Sequence, residues 1–143
     1  MNDPTPVLPV AVYGTLRTGE YAHDRYLAGH PAVVSTVPGL VDGYEIHVLS
    51  LGYPVAVPEP GSTLVVEVIT IEDSPSGQSL RDDLDGWEGY REGEPSQLYD
   101  RIVVPVRTAA GEVRAWLYVA GNEVDHGEFG DHSRIHGGDW TAR

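Results

Sequence analysis

Glu88, in Leu84-Asp85-Gly86-Trp87-Glu88-Gly89-Tyr90, is the first residue whose type and spacing point to chemistry. On a helical wheel of about 100° per residue with Leu80 as origin, Leu84 falls at about 40° and Trp87 at about −20°, one apolar stripe. Glu88 at about 80° borders that stripe, whereas Asp82 at about 200° and Asp85 at about 140° face away from it. A carboxylate beside an indole loses hydration, which raises its pKa towards neutrality and fits it to take and return a proton. The competing placement makes Glu88 a helix-end carboxylate with its head in water. Asp82, Asp83 and Asp85 are expected to form a solvated helix face.

A second group is Tyr13-Gly14-Thr15-Leu16-Arg17, which follows an apolar run. A turn there can aim several backbone N–H groups at one point and hold an anion. It can equally be an ordinary β-turn whose glycine takes a positive φ. Neither GxxxxGK[ST] nor GxGxxG occurs, so a phosphate loop has no support. The last stretch holds Asp125, His126, Asp131, His132 and His136. His132 and His136 have the i, i+4 spacing that shares a metal on a helix, but Gly127, Gly130, Gly137 and Gly138 oppose a helix there, so solvated loop histidines and no metal are expected. Ser133 lacks the G-x-S-x-G elbow of a serine hydrolase.

The elements that must position these groups are read from periodicity and turn residues. Leu8 to Tyr13 predicts a buried strand ended by Gly14, and Gly19 to Gly29 has room for a short helix. Pro31 to Pro58 predicts successive strands separated at Pro38-Gly39 and Gly52, and Glu59-Pro60-Gly61-Ser62 predicts a turn. Thr63 to Ile71 is β-branched almost throughout and is the strongest strand signal. Ser74-Pro75 predicts an N-cap with proline in the first helical position, opening the main helix that Gly89 and Gly93 stop. Tyr99–Val106 and Val113–Ala120 predict a hairpin through a loop containing Gly111. The expected fold is α+β: about six strands curled into a small barrel, with one main helix and one or two short ones at its periphery. Residues 1–7 are expected to form a flexible segment before a single domain over 8–143, with a polar tail or lid from about 121.

Composition narrows the partners. The chain has 143 residues, 22 Asp+Glu against 9 Lys+Arg and a formal charge of −13. That field repels nucleic-acid phosphates and anionic membranes, so neither is expected as a partner. With no cysteine, any chemistry falls to carboxylates, histidines, hydroxyls or backbone. The start has no basic and apolar leader and no apolar run approaches a membrane span, from which a cytoplasmic protein is expected.

Val12-Tyr13-Gly14-Thr15-Leu16-Arg17, Gly52-Tyr53-Pro54, Leu84 to Tyr90, Tyr99-Asp100-Arg101, Trp116-Leu117-Tyr118 and Gly137-Gly138-Asp139-Trp140 together resemble the γ-glutamylcyclotransferase-like family. The match runs in order from about Val10 to Trp140, and the YGTL spelling is closer to the γ-glutamylamine type than to the glutathione-degrading branch. The resemblance implies a small mixed barrel with a cavity at one side and release of 5-oxoproline from a γ-glutamyl compound. It implies Glu88 as the acid/base, Tyr13, Gly14, Thr15 and Leu16 as a turn that binds the glutamyl part through backbone groups, and Tyr99 and Tyr118 as cavity walls. The chain departs from the family at Val66-Glu67-Val68-Ile69, where relatives commonly have G-E-[VL]-Y on a strand that lines the barrel.

The reaction so implied is intramolecular: the α-amine attacks the γ-carbonyl, a lactam forms and an amine leaves. One carboxylate can serve both proton transfers, and no cofactor is required. A small-molecule γ-glutamyl substrate is the expected partner. Two other readings compete: a binding module that keeps the cavity without turnover, and a metal-dependent hydrolase built on His126, Asp131, His132 and His136. The closing Gly138-Asp139-Trp140 is expected to dock on the barrel and close a wall of the cavity near Glu88.

Overall fold

The β-branched runs form strands that the computed structural model describes over residues 7–49, 52–94, 97–122, 124, 127 and 129–142. In chain order they give β1 (Val10–Val12), α1 (Tyr21–Tyr26), β2 (Val33–Val48), β3 (Pro54–Ile71), α2 (Pro75–Glu88), β4 (Tyr99–Thr108), β5 (Gly111–Ala120) and β6 (Arg134–Ile135). The strand order β3-β1-β5-β4-β2 is closed by a long antiparallel pairing of β2 with β3, and β6 adds to β2 outside this ring. β1 runs antiparallel to β3 and parallel to β5, so the five-stranded barrel is mixed. Residues 1–6, most of the expected flexible segment, lie outside the described residues.

Alternation along the strands divides the core into two sides. Ala11, Val41, Leu64, Val66, Val106 and Leu117 belong to the group that fills the barrel, while Val10, Val12, Ile69 and Ile71 pack on its outer face against Leu80 and Leu84 of α2. The helix begins as its sequence predicts: the Ser74 hydroxyl accepts from Gly77 N at 3.0 Å, Pro75 follows, and Gly89 ends the helix at φ 72°.

Two expected turns are absorbed into strands. Pro38 and Gly39 sit inside β2, paired with Glu67 and Val66. Glycine is needed there for a close approach, because a Cβ on Gly39 would stand 2.6 Å from Val106 Cγ1. Residues 59–62 form a bulge within β3, since Asp42 pairs with Thr63 and Tyr44 with Pro58, leaving four residues opposite Gly43. Long-range pairing on both flanks supplies more hydrogen bonds than a free turn, which is why local turn residues do not break these strands.

The last segment docks as expected at Trp140, which is 5% exposed and joins the barrel-filling group. Its Nε1 donates to Glu20 Oε1 at 2.7 Å. Among the described residues no helix is long and apolar enough to cross a membrane.

Candidate functional site

A cavity of about 280 Å³ opens between the end of α2 and the outer face of the barrel. The α2 stripe causes this: Leu80 and Leu84 are buried on the barrel, and the last turn carries Trp87 and Glu88 to the point where β1 gives way to the 13–16 turn. Tyr13, Gly14, Thr15, Leu16, Glu88, Tyr99 and Tyr118, scattered over more than a hundred positions, all line this one space. Tyr53, Pro54, Trp87 and Leu98 complete much of the wall.

Glu88 has lost most of its hydration there. Burial, followed by the nearby charge of Asp85, pushes its carboxyl from 4.5 up to about 8. Burial likewise raises the Tyr13, Tyr99 and Tyr118 hydroxyls above their ordinary range, so all three are neutral at physiological pH. Their hydrogens already have acceptors: Tyr13 donates to the Tyr118 carbonyl at 2.8 Å, Tyr99 to the Pro54 carbonyl at 2.6 Å and Tyr118 to Asp85 Oδ1 at 2.5 Å. The Tyr13 oxygen also accepts from Ala56 N at 3.0 Å. Tyr99 and Tyr118 therefore retain acceptor capacity only.

The turn supplies the donors. Among the described residues, the backbone N–H groups of Gly14, Thr15 and Leu16 have no acceptor within the protein, whereas Arg17 N closes the turn onto the Gly14 carbonyl at 3.0 Å. Glu67 of β3 holds the far side, accepting from Thr18 N at 2.9 Å, Thr18 Oγ1 at 2.6 Å and Arg17 Nε at 3.0 Å. Burial alone would raise Glu67, but these bonds outweigh it and hold its carboxyl below the usual range. Arg17 Nη1 also reaches Asp139 at 2.5 Å, tying the turn to the terminal segment. Among the described residues no Lys or Arg lines the cavity.

Several sequence-based expectations change. Asp85 does not face solvent: its side chain is 20% exposed and is held by Arg101 and Tyr118, because β4 and β5 stand over that flank of α2. Gly14 does not have a positive φ. It is required because a Cβ there would lie 2.5 Å from Pro54 Cγ. Of the two departures from the family pattern, Val66 faces the filled barrel and Ile69 packs on its outer face, and none of residues 66–69 lines the cavity. The terminal segment supplies no described wall residue either, so Trp140 plugs the barrel and is not a lid on Glu88.

The histidines do not assemble as a metal set among the described residues, and Asp125 and His126 lie outside them. Asp131 pairs with Arg134 at 2.6 Å, and of the candidate histidines only His136 approaches it among the described residues, at 3.7 Å. A cluster missed in sequence joins His47 to Ser133 Oγ at 2.8 Å and to Glu45 Oε1 at 2.7 Å. Ser133 is buried and its hydroxyl exchanges hydrogen bonds with the Gly130 backbone, both at 3.0 Å, which makes the cluster a clasp for the terminal segment rather than an accessible nucleophile. The pairing of β6 with β2 at His47 and Arg134 creates it, and no local motif announces such a contact.

Comparison with known proteins agrees with this fold. An uncharacterized protein from Pyrococcus horikoshii superposes with a TM-score of 0.60 at 25% identity, covering 95% of this chain and 92% of its own. An AIG2-like protein from Mus musculus gives 0.60 at 19% identity, with 87% and 91% covered. A γ-glutamyl cyclotransferase gives 0.57 at 18% identity, with 79% and 66% covered. No curated protein matches the sequence. The family model described as "Gamma-glutamyl cyclotransferase, AIG2-like" matches residues 10–142, and the chain belongs to that family.

Proposed function

We propose that the protein is a cyclotransferase that releases 5-oxoproline from a γ-glutamyl amine or amide, with Glu88 as the acid/base. The observation that carries this reading is the position of Glu88: a carboxylate pushed up to about 8, in a cavity also lined by a turn whose N–H groups at Gly14, Thr15 and Leu16 have no acceptor among the described residues. A carboxylate whose pKa is raised by burial is a stronger base than an ordinary Glu and so a better acceptor for the proton of a substrate α-ammonium.

In this mechanism ionised Glu88 takes a proton from the α-ammonium. The free amine attacks the γ-carbonyl carbon, forming the lactam C–N bond and moving the carbonyl electron pair onto oxygen. Collapse of the tetrahedral species breaks the original C–N bond as Glu88 returns its proton to the departing nitrogen; Glu88 then takes the second proton from the ring nitrogen, leaving a neutral lactam, and passes it to the released amine, which leaves as an ammonium. Atoms and charge balance with no further reactant. The N–H groups of Gly14, Thr15 and Leu16 take the α-carboxylate or the developing oxyanion, a role that suits them because no Lys or Arg among the described residues lines the cavity. Tyr99 and Tyr118 present oxygen acceptors on the wall. Folding the substrate back on itself supplies the proximity that makes covalent catalysis unnecessary.

The test is to incubate the purified protein with γ-glutamyl amines, γ-glutamyl dipeptides and glutathione and to measure 5-oxoproline. Release from at least one of them, lost in Glu88→Gln, is the expected result. Tight binding of a γ-glutamyl compound with no product at any pH would overturn it in favour of a binding module.

A further inference from the structure

Asp85 stands one turn before Glu88 on α2, and three elements meet at its carboxylate. Its Oδ1 accepts the Tyr118 hydroxyl of β5 at 2.5 Å, and its two oxygens accept Arg101 Nη1 of β4 at 2.9 and 3.2 Å. Arg101 is itself held between ring faces, 4.8 Å from the Tyr90 centroid and 4.5 Å from that of Trp116. The two partners are 19% and 20% exposed, so solvent screens this pair less than a surface one.

A phenolic hydroxyl has one hydrogen. Because Tyr118, which lines the cavity, gives it to Asp85, its oxygen can only accept. Tyr99 is in the same state through the Pro54 carbonyl. A primary ammonium carries three donors, and Glu88, Tyr99 and Tyr118 offer three acceptor oxygens around one cavity. A residue in place of Asp85 that offers Tyr118 no acceptor would leave its rotor free to turn the hydrogen inward, against an ammonium, and Asn, whose single carbonyl oxygen must serve both Arg101 and Tyr118, holds it less firmly.

We propose that Asp85, anchored by Arg101, is a positioning residue for the cyclisation: it holds Tyr118 as an acceptor for the substrate α-ammonium and fixes a second negative charge one helical turn behind Glu88. This rests on the reading of the cavity as a cyclotransferase centre. The groups facing Glu88 are Asp85 on its own helix, Tyr13 from the turn, Tyr99 from β4 and Tyr118 from β5, with Tyr53 beside Tyr99 and Arg101 beyond Asp85. The buried tyrosines stay neutral through the working range. Asp85 is therefore the charge that sets how firmly Glu88 keeps its proton beyond what burial does.

The experiment compares wild type with Asp85→Asn and Tyr118→Phe by pH–rate profiles and by NMR titration of the Glu88 side-chain carboxyl in ¹³C-glutamate-labelled protein, assigned with Glu88→Gln. In Asp85→Asn the Glu88 midpoint and the acid limb of kcat/KM both move to lower pH by about half a unit or more, as expected for loss of a like charge at this range. Plateau kcat falls by roughly 10–100-fold, the worth of a hydrogen bond to a charged group. Tyr118→Phe keeps the Asp85–Arg101 pair and loses a similar factor in kcat without the downward shift. An unmoved Glu88 midpoint in Asp85→Asn, or wild-type kcat and KM in Tyr118→Phe, overturns the proposal; if Asp85→Asn does not fold, Tyr118→Phe decides alone. A wild-type protein that turns over no γ-glutamyl compound removes the functional reading instead, and the substrate-free NMR midpoint still decides the coupling.

Discussion

Replacing Glu88 by Gln is expected to abolish turnover and, at the same time, to stabilise the protein in a pH-dependent way. Wild-type Glu88 holds its proton up to about pH 8 when folded but loses it from 4.5 when unfolded. The folded state thus binds more protons between those values, and stability falls as pH rises through the window. At about 1.36 kcal/mol per unit, the burden is near zero at pH 4, about 3 kcal/mol at pH 7 and about 5 kcal/mol at pH 9. Gln keeps the shape and carries none of this dependence. Its melting temperature should equal that of wild type near pH 4 and exceed it by on the order of 10 °C at pH 7, from the usual scaling for a domain of this size. Thermal unfolding of both proteins from pH 4 to 9 reads the effect, and 5-oxoproline release reads the activity. The reasoning is refuted if the two melting curves keep a constant offset across that range, or if Glu88→Gln retains more than about a tenth of the activity, since a general acid/base contributes roughly 10²–10⁴-fold.

Gly14→Val should weaken binding of a γ-glutamyl ligand at least tenfold by driving a side chain into Pro54 and shifting the turn; calorimetry showing unchanged affinity would take the turn out of the site. Deleting residues 137–143 removes Trp140, whose burial contributes about 2–3 kcal/mol, so the melting temperature should drop, while kcat per folded molecule at low temperature should be preserved because the segment does not wall the cavity. Ser133→Ala should destabilise the clasp by about 1–2 kcal/mol and speed hydrogen exchange in β6, which mass spectrometry can localise. Glu67 and Asp139 are held below the usual carboxylate range with help from Arg17, so the stability they contribute is complete above their unfolded values and is lost as pH falls through the lowered ones; Arg17→Gln should flatten the acid limb of a stability–pH curve.

Glu88 and the Tyr13 to Leu16 turn, singled out from type and spacing, and Tyr99 and Tyr118, added by the family resemblance, line one cavity; Glu88, the turn and Tyr99 sit at element boundaries that local sequence marks. Ser74-Pro75 and Gly89 bound the helix, and Gly14 ends the first strand. Leu80, Leu84 and Trp87 settle which face of α2 meets the barrel, and Glu88 follows at its edge. These are short-range effects of capping, steric freedom and a 3.6-residue period, and one sequence carries them in full.

What pairs with what is a different kind of information. The helical wheel sent Asp85 to solvent because a wheel knows only the helix and its apolar stripe; the approach of Arg101 and Tyr118 from β4 and β5 makes that flank an interior one. Pro38-Gly39 and Glu59 to Ser62 read as turns because their local preferences are real, and register with the partner strand overrides them. Trp140 was legible as a docking group, but its place at the barrel end, away from Glu88, follows from the seating of β6 on β2 and of Asp139 on Arg17. Local physics in the sequence determined the elements and the chemistry they carry. Only closure of the barrel, which brings residues a hundred positions apart into contact, decided how deeply Glu88 is buried and which groups hold Asp85 beside it, and hence how strongly Glu88 keeps its proton.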